Sequence, residues 1–266
     1  MALAGGKSCG GGKQLLLGLF SSDVLLVSAT SMKRSGLNNE SQIISLKALT
    51  KEIQARIRAL PELKTQDVRA VRRDFSKRLA NTDPDFVMKL ALNLLKLSVF
   101  EFRFVAYELV QHHRATVSSL DAAALEKLGH GMNSWAAVDC FACYLAGPVW
   151  RERQVRDTVV RRWSRSRNRW WRRAALVATV PLNNKTRGGA GDSPRTLDIC
   201  RLLRDDRDPM VTKALSWALR ELAKRDAQSV SEFLRKERDK LAPQVLREVE
   251  NKLATGLKNP RKAQKR

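Results

Sequence analysis

Apolar residues between Ser41 and Leu257 recur at the i, i+3, i+4, i+7 spacing of one face of a helix. Polar, Gly or Pro punctuation interrupts the pattern every 12 to 20 residues, and no stretch keeps the period-two alternation of a strand. The pattern predicts helices near 41–59, 65–81, 84–97, 101–114, 119–128, 133–146, 151–162, 169–180, 194–205, 209–225, 227–238 and 243–257. Twelve helices joined by short turns predict an all-α, HEAT-like helical-repeat solenoid of antiparallel helix pairs, with a concave basic surface. No crisp sequence repeat accompanies it, so this reading rests on helix length and number. The longest interruption, Asn183 to Pro194, holds Gly188, Gly189 and Gly191 and is expected to be a mobile loop.

Both ends of the chain break the helical pattern. Residues 1–40 are expected to be a disordered extension, with 41–257 the folded domain and 258–266 a basic tail carrying five basic residues and no acid. The apolar run from Leu15 to Val27 is interrupted by Gly18, Ser21, Ser22 and Asp23 and is too short to span a bilayer. A short signal peptide is the alternative there, but a dispensable segment with Met32 as the natural beginning is favoured.

Charge narrows the partner. Among 266 residues, 50 Lys and Arg face 27 Asp and Glu, a net charge of +23 that solubility does not require. Such a field attracts polyanions, whether DNA, RNA or an anionic membrane. The 43% apolar content supports a substantial core. Four scattered cysteines fit a reducing, intracellular compartment, cytoplasmic or nuclear according to the host. Cys140 and Cys143 form a lone CxxC without a second ligand pair, so no metal is expected and core packing is the simpler role.

Several residues stand out chemically. Arg151 to Arg173 contains ten arginines, two acids and Trp163, Trp170 and Trp171. Planar guanidinium groups beside aromatics favour nucleic acid, against the alternative of a charged outer face over core tryptophans. In the helix around Trp217, Leu215, Ala218, Leu219 and Leu222 define one buried stripe, and Trp217 lies off it with Lys213, Arg220 and Lys224. With Arg172, these three cations are the candidate phosphate contacts. Trp135 and Asp139 sit four apart on one helix face. Asp139 is the single formal charge between Lys127 and Arg151. It neither caps a helix nor meets a nearby base, so it either pairs with a distant arginine or does chemistry. His112, His113 and His130 read as structural or exposed, and no GxSxG, Walker phosphate loop, GxGxxG or HExxH occurs.

At these residues the sequence resembles the AlkD-type DNA alkylation repair family. Trp135 and Asp139 in SWAAVD are similar to the family's Trp and catalytic Asp, Arg173 in WWRRAAL to its Arg, and Trp217 in KALSWALRE to its second sugar-contacting Trp. Arg172 beside Arg173 leaves that match ambiguous by one position. Weaker similarity in LKTQDVRAVRRDFSK and FEFRFVAYELV extends the resemblance over roughly residues 45–255. The resemblance implies a HEAT-like glycosylase that releases N3- or N7-alkylated purines from double-stranded DNA, without a cofactor, a metal or a membrane, as a monomer. It also implies working without deep base flipping. A non-catalytic HEAT-like nucleic-acid scaffold, with Asp139 structural, shares the same fold and charge.

Overall fold

The computed structural model describes residues 46–260. The expected extension over 1–40, the alternative start at Met32, the first residues of the 41–59 helix and the tail beyond residue 260 lie outside the described residues.

The first helix, α1, covers residues 46–58 within that range. It is followed by α2 (Thr65–Arg78), α3 (Pro84–Leu95), α4 (Phe100–Gln111), α5 (Arg114–Ser118), α6 (Ala122–Gly129) and α7 (Trp135–Phe141). A π-helical turn, Ala142–Ala146, runs from α7 into α8 (Gly147–Arg151). Then come α9 (Asp157–Ser164), α10 (Arg169–Val177), α11 (Val180–Asn183), α12 (Ser193–Leu202), α13 (Pro209–Leu222), α14 (Ala227–Glu237) and α15 (Pro243–Thr255). No strand occurs among the described residues.

Side-chain caps set many of the starts. Asp83, Asp192 and Asp208 accept backbone N–H groups at the heads of α3, α12 and α13, each with a proline in the first turn, where its missing donor is harmless. Ser134 caps α7 and Asn168 caps α10.

Neighbours in sequence pack as pairs: α3 with α4, α6 with α7, α9 with α10, α12 with α13, and α14 with α15. The pairs then stack through every second member. One row runs α2, α4, α7, α10, α13, α15, each helix packed on the next, and on the other α9 packs on α12 and α12 on α14. This is the expected helical-repeat, all-α arrangement. Helices inside the row are enclosed on several sides. Residues Phe102 to Val110 of α4 are all buried, and α13 buries Thr212, Ser216 and Glu221 as well as its apolar stripe.

Trp163 and Trp171 belong to the core. They join Phe141 and Tyr107 in an aromatic cluster with ring centroids 5.1–6.0 Å apart. A Cβ at Gly129 would come within 2.5 Å of the Trp171 ring, so the close approach of α6 requires glycine there. For these two tryptophans the alternative of core packing is the one observed.

The Asn183–Pro194 segment departs from the expected mobile loop. Arg225 Nε donates to the Asn183 carbonyl (2.8 Å) and its Nη2 to that of Gly189 (3.2 Å). Asn183 Oδ1 accepts from the Asp192 N–H (2.9 Å), and Gly191 N–H donates to Leu182 O (3.0 Å). The three glycines that suggested mobility serve a fixed turn, with Gly188 and Gly191 at positive φ.

Candidate active site

The chemically distinctive residues fall on one row of the stack. Trp135 and Asp139 lie on α7, Arg173 on α10 and Trp217 on α13. Trp135 is the first residue of α7, directly after the Ser134 cap, and at 59% exposure it is the most open large hydrophobic among the described residues. One turn on, Asp139 points to the same side.

Asp139 is bound by Arg173 in fork-to-fork geometry. Arg173 Nε donates to Asp139 Oδ1 (2.9 Å) and Nη2 to Oδ2 (2.8 Å), while Nη1 donates to the Met210 carbonyl at the start of α13 (2.6 Å). Their side chains are 18% and 6% exposed, so this pair ties α7, α10 and α13 together in a largely dry setting. Burial pushes the Asp139 carboxyl above its ordinary range, against the downward pull of the Arg173 guanidinium. Arg172, the other member of the ambiguous pair, points elsewhere. Its Nε donates to Asp206 Oδ2 (2.6 Å) and its Nη1 to the Ser166 and Arg167 carbonyls (3.1 and 3.0 Å). Geometry therefore assigns Arg173 to Asp139 and gives Arg172 a loop-anchoring place rather than an open phosphate contact.

Asp139 and Trp135 line a cavity of about 320 Å³ whose other walls include Arg69, Phe104 and Tyr144, with Leu63 at its side. Arg69 is held in place by Glu108, which accepts from Arg69 Nε (2.7 Å) and from Arg72 Nε (3.0 Å) and is almost wholly buried. Arg69 Nη2 also donates to Tyr144 Oη (3.2 Å). The sequence reading missed Arg69, Glu108 and Tyr144. An available signal was Glu108 itself, an acid set between Tyr107 and Leu109 in the apolar second half of α4. The two cysteines adjoin this region. Burial pushes the Cys140 thiol up to about 11 and the Cys143 thiol up to about 12, so both are neutral thiols at physiological pH.

Trp217 is less open than its position off the stripe implied. It is half-buried against the core, because α13 has neighbours on several sides. The cations around it differ in availability. Arg220 is drawn inward, its Nε donating to Ser216 Oγ (3.1 Å), and burial lowers its pKa. Lys224 Nζ pairs with the buried Glu221 (2.8 Å). Lys213 is exposed and has no ion pair among the described residues.

A family model described as DNA alkylation repair enzyme matches residues 39–253. The chain belongs to the DNA alkylation repair enzyme family. Searches of curated proteins and of solved structures return no match. The family match spans α1 to most of α15 and contains every residue of the cavity and of the Asp139–Arg173 pair. Membership places this DNA alkylation repair protein among enzymes that act on alkylated DNA, and no helix among the described residues is long and apolar enough to cross a membrane.

Proposed function

We propose that this family member is a monofunctional DNA glycosylase that hydrolyses the N-glycosidic bond of N3- or N7-alkylated purines in double-stranded DNA, with Asp139 as its catalytic residue. The observation that carries the proposal is a desolvated carboxylate, Asp139, one helical turn from the exposed ring of Trp135 on the wall of a cavity.

An alkylpurine cation is already a good leaving group and needs no general acid. As the bond breaks, its electron pair goes to the base and positive charge develops at C1′. Asp139 stabilises that charge and orients a water, whose oxygen bonds to C1′ while its proton is released, leaving a neutral base and an abasic sugar. Partial desolvation strengthens this electrostatic contact relative to open water. Trp135 offers a π face to the sugar, and Trp217 supports the same strand from α13. Arg173 fixes the carboxylate. Three of its five N–H donors are used by Asp139 and Met210, so any phosphate contact falls to the remaining two. Lys213 and Lys224 are the more open phosphate partners, and no cofactor or metal takes part.

A second reading has one specific observation behind it. Both Asp139 oxygens are occupied by Arg173, as in a structural ion pair, which suits a non-catalytic DNA-binding scaffold. Incubation with duplex DNA containing 7-methylguanine and 3-methyladenine separates the two. Free bases in solution are expected; salt-dependent binding without base release would establish the scaffold instead.

A further inference from the structure

A cavity of about 830 Å³ adjoins the Asp139 site, between α3, α4, α6 and the turn into α7. Its distinctive member is Arg103. This residue is 9% exposed, yet no carboxylate lies within ion-pair distance of it among the described residues. Its Nη1 donates to Tyr107 Oη (2.8 Å) and to the His130 carbonyl (3.2 Å), both uncharged acceptors. Tyr107 in turn donates to Leu128 O (3.1 Å), and burial pushes its phenol up to about 12, so it supplies no negative charge. Nε and Nη2 of Arg103 have no protein acceptor and are not sealed from solvent.

The rest of the cavity has the same sign. Lys96 and Lys127 line it, and the acid on its wall, Glu126, is already taken by Arg162 Nη2 (2.5 Å) and Trp163 Nε1 (2.9 Å). A buried guanidinium without a counter-charge is destabilising, and an anion received from outside offsets that penalty. The opening holds two of the few exposed large apolar residues, Val99 at 45% and Phe100 at 39%. Ser98 beside them has φ 57°, a left-handed conformation uncommon for serine that shapes this turn. Cations with an apolar, aromatic edge suit an anion carried on a flat apolar body. The volume is far more than a bare ion needs and lies within the range of ligand pockets. Phe100 also lines the Asp139 cavity, so the two spaces share a wall.

We propose that this cavity is a nucleotide-binding site, in which Arg103 and Lys127 hold a phosphate and Phe100 packs against the base. The same chemistry is offered by a nucleotide of the bound DNA strand or by a free nucleoside monophosphate. The site does not depend on the glycosylase reading, since none of its residues takes part in that chemistry.

The test is calorimetric titration of the full chain with deoxyadenosine 5′-monophosphate, with deoxyadenosine as the phosphate-free comparison. The nucleotide is expected to bind and the nucleoside to bind more weakly. Arg103→Met and Lys127→Gln should each weaken nucleotide binding by about tenfold or more, the loss of a charge-assisted hydrogen bond. Arg103→Met also gives up the hydrogen bonds to Tyr107 and His130, so its fold is verified by circular dichroism and melting, while Lys127 is exposed; weakened binding by folded Arg103→Met together with Lys127→Gln is then not lost fold. Asp139→Asn should bind the nucleotide unchanged, whatever its effect on base release. Displacement of the nucleotide by methylated duplex assigns the site to the DNA strand, and simultaneous binding assigns it to the free nucleotide. No binding by the unmodified chain, or equal binding by Arg103→Met and Lys127→Gln, overturns the proposal.

Discussion

At the scale of single residues, the protein separates side chains that sequence alone treats alike. Asp139 was legible as the lone charge in an apolar helix, but its partner lies 34 positions along the chain and no local pattern points to it. Distance likewise hid which of Arg172 and Arg173 meets the carboxylate, since only packing of α7 on α10 decides it. The raised pKa of Asp139 has a kinetic consequence. In the proposed mechanism base release needs the ionised form, so the rate is expected to fall as pH drops through the folded-state pKa, and burial places that pKa above the ordinary 3.8. The acidic limb of the rate profile is therefore expected above the position an exposed aspartate would give, and a limb at or below that position contradicts the assignment. The two tryptophans should also differ. Trp135→Ala is expected to slow base release with almost no change in melting temperature, because its ring is exposed. Trp217→Ala should lower the melting temperature, with a loss of stability below the roughly 3–5 kcal/mol typical of a fully buried Trp, because its ring is only half packed. Equal melting temperatures for the two variants would refute that distinction.

At the scale of elements, hydrophobic periodicity located nearly all the long helices to within a few residues, because each buries a stripe against a partner. What it missed are short connectors whose form depends on distant contacts. The expected helix over 133–146 is α7 followed by a π turn, and α8 and α11 are single turns fitted between longer helices. Gly147 marks where they meet. A Cβ there would lie 2.7 Å from the Ala178 carbonyl oxygen and 2.7 Å from Pro181 Cγ. Gly147→Ala is therefore expected to destabilise the protein by about 1–3 kcal/mol, although alanine is the better helix former. Chemical denaturation checks this, and an unchanged midpoint would show that α8 and α11 can separate freely. The Asn183–Pro194 loop makes the same point in reverse, since its glycine content suggested motion while Arg225, 42 positions beyond Asn183, pins it.

At the scale of the whole molecule, net charge predicted a polyanion partner but not which cations are open to it. Of the ten arginines in 151–173, Arg151, Arg161, Arg162, Arg169, Arg172 and Arg173 are in ion pairs. Arg153, Arg156, Arg165 and Arg167 are exposed and have no ion pair among the described residues. Duplex affinity should fall steeply with salt, by a log–log slope of about 0.9 for each phosphate neutralised. Replacing the open pair Arg165 and Arg167 with glutamine is expected to flatten that slope more than replacing Arg161 and Arg162, whose charge is already answered; equal slopes would contradict this division. Whether Asp139 is catalytic can be read from one comparison. Under single-turnover conditions on a duplex containing 7-methylguanine, Asp139→Asn should release base on the order of 10² to 10³ more slowly than the unmodified protein, at closely similar DNA affinity. Arg173 then loses its counter-charge, so the comparison is made below the melting temperature of the variant, with circular dichroism verifying its fold. A folded Asp139→Asn protein that binds the duplex and frees 7-methylguanine at the unmodified rate would show that Asp139 is structural and that the catalytic account is wrong.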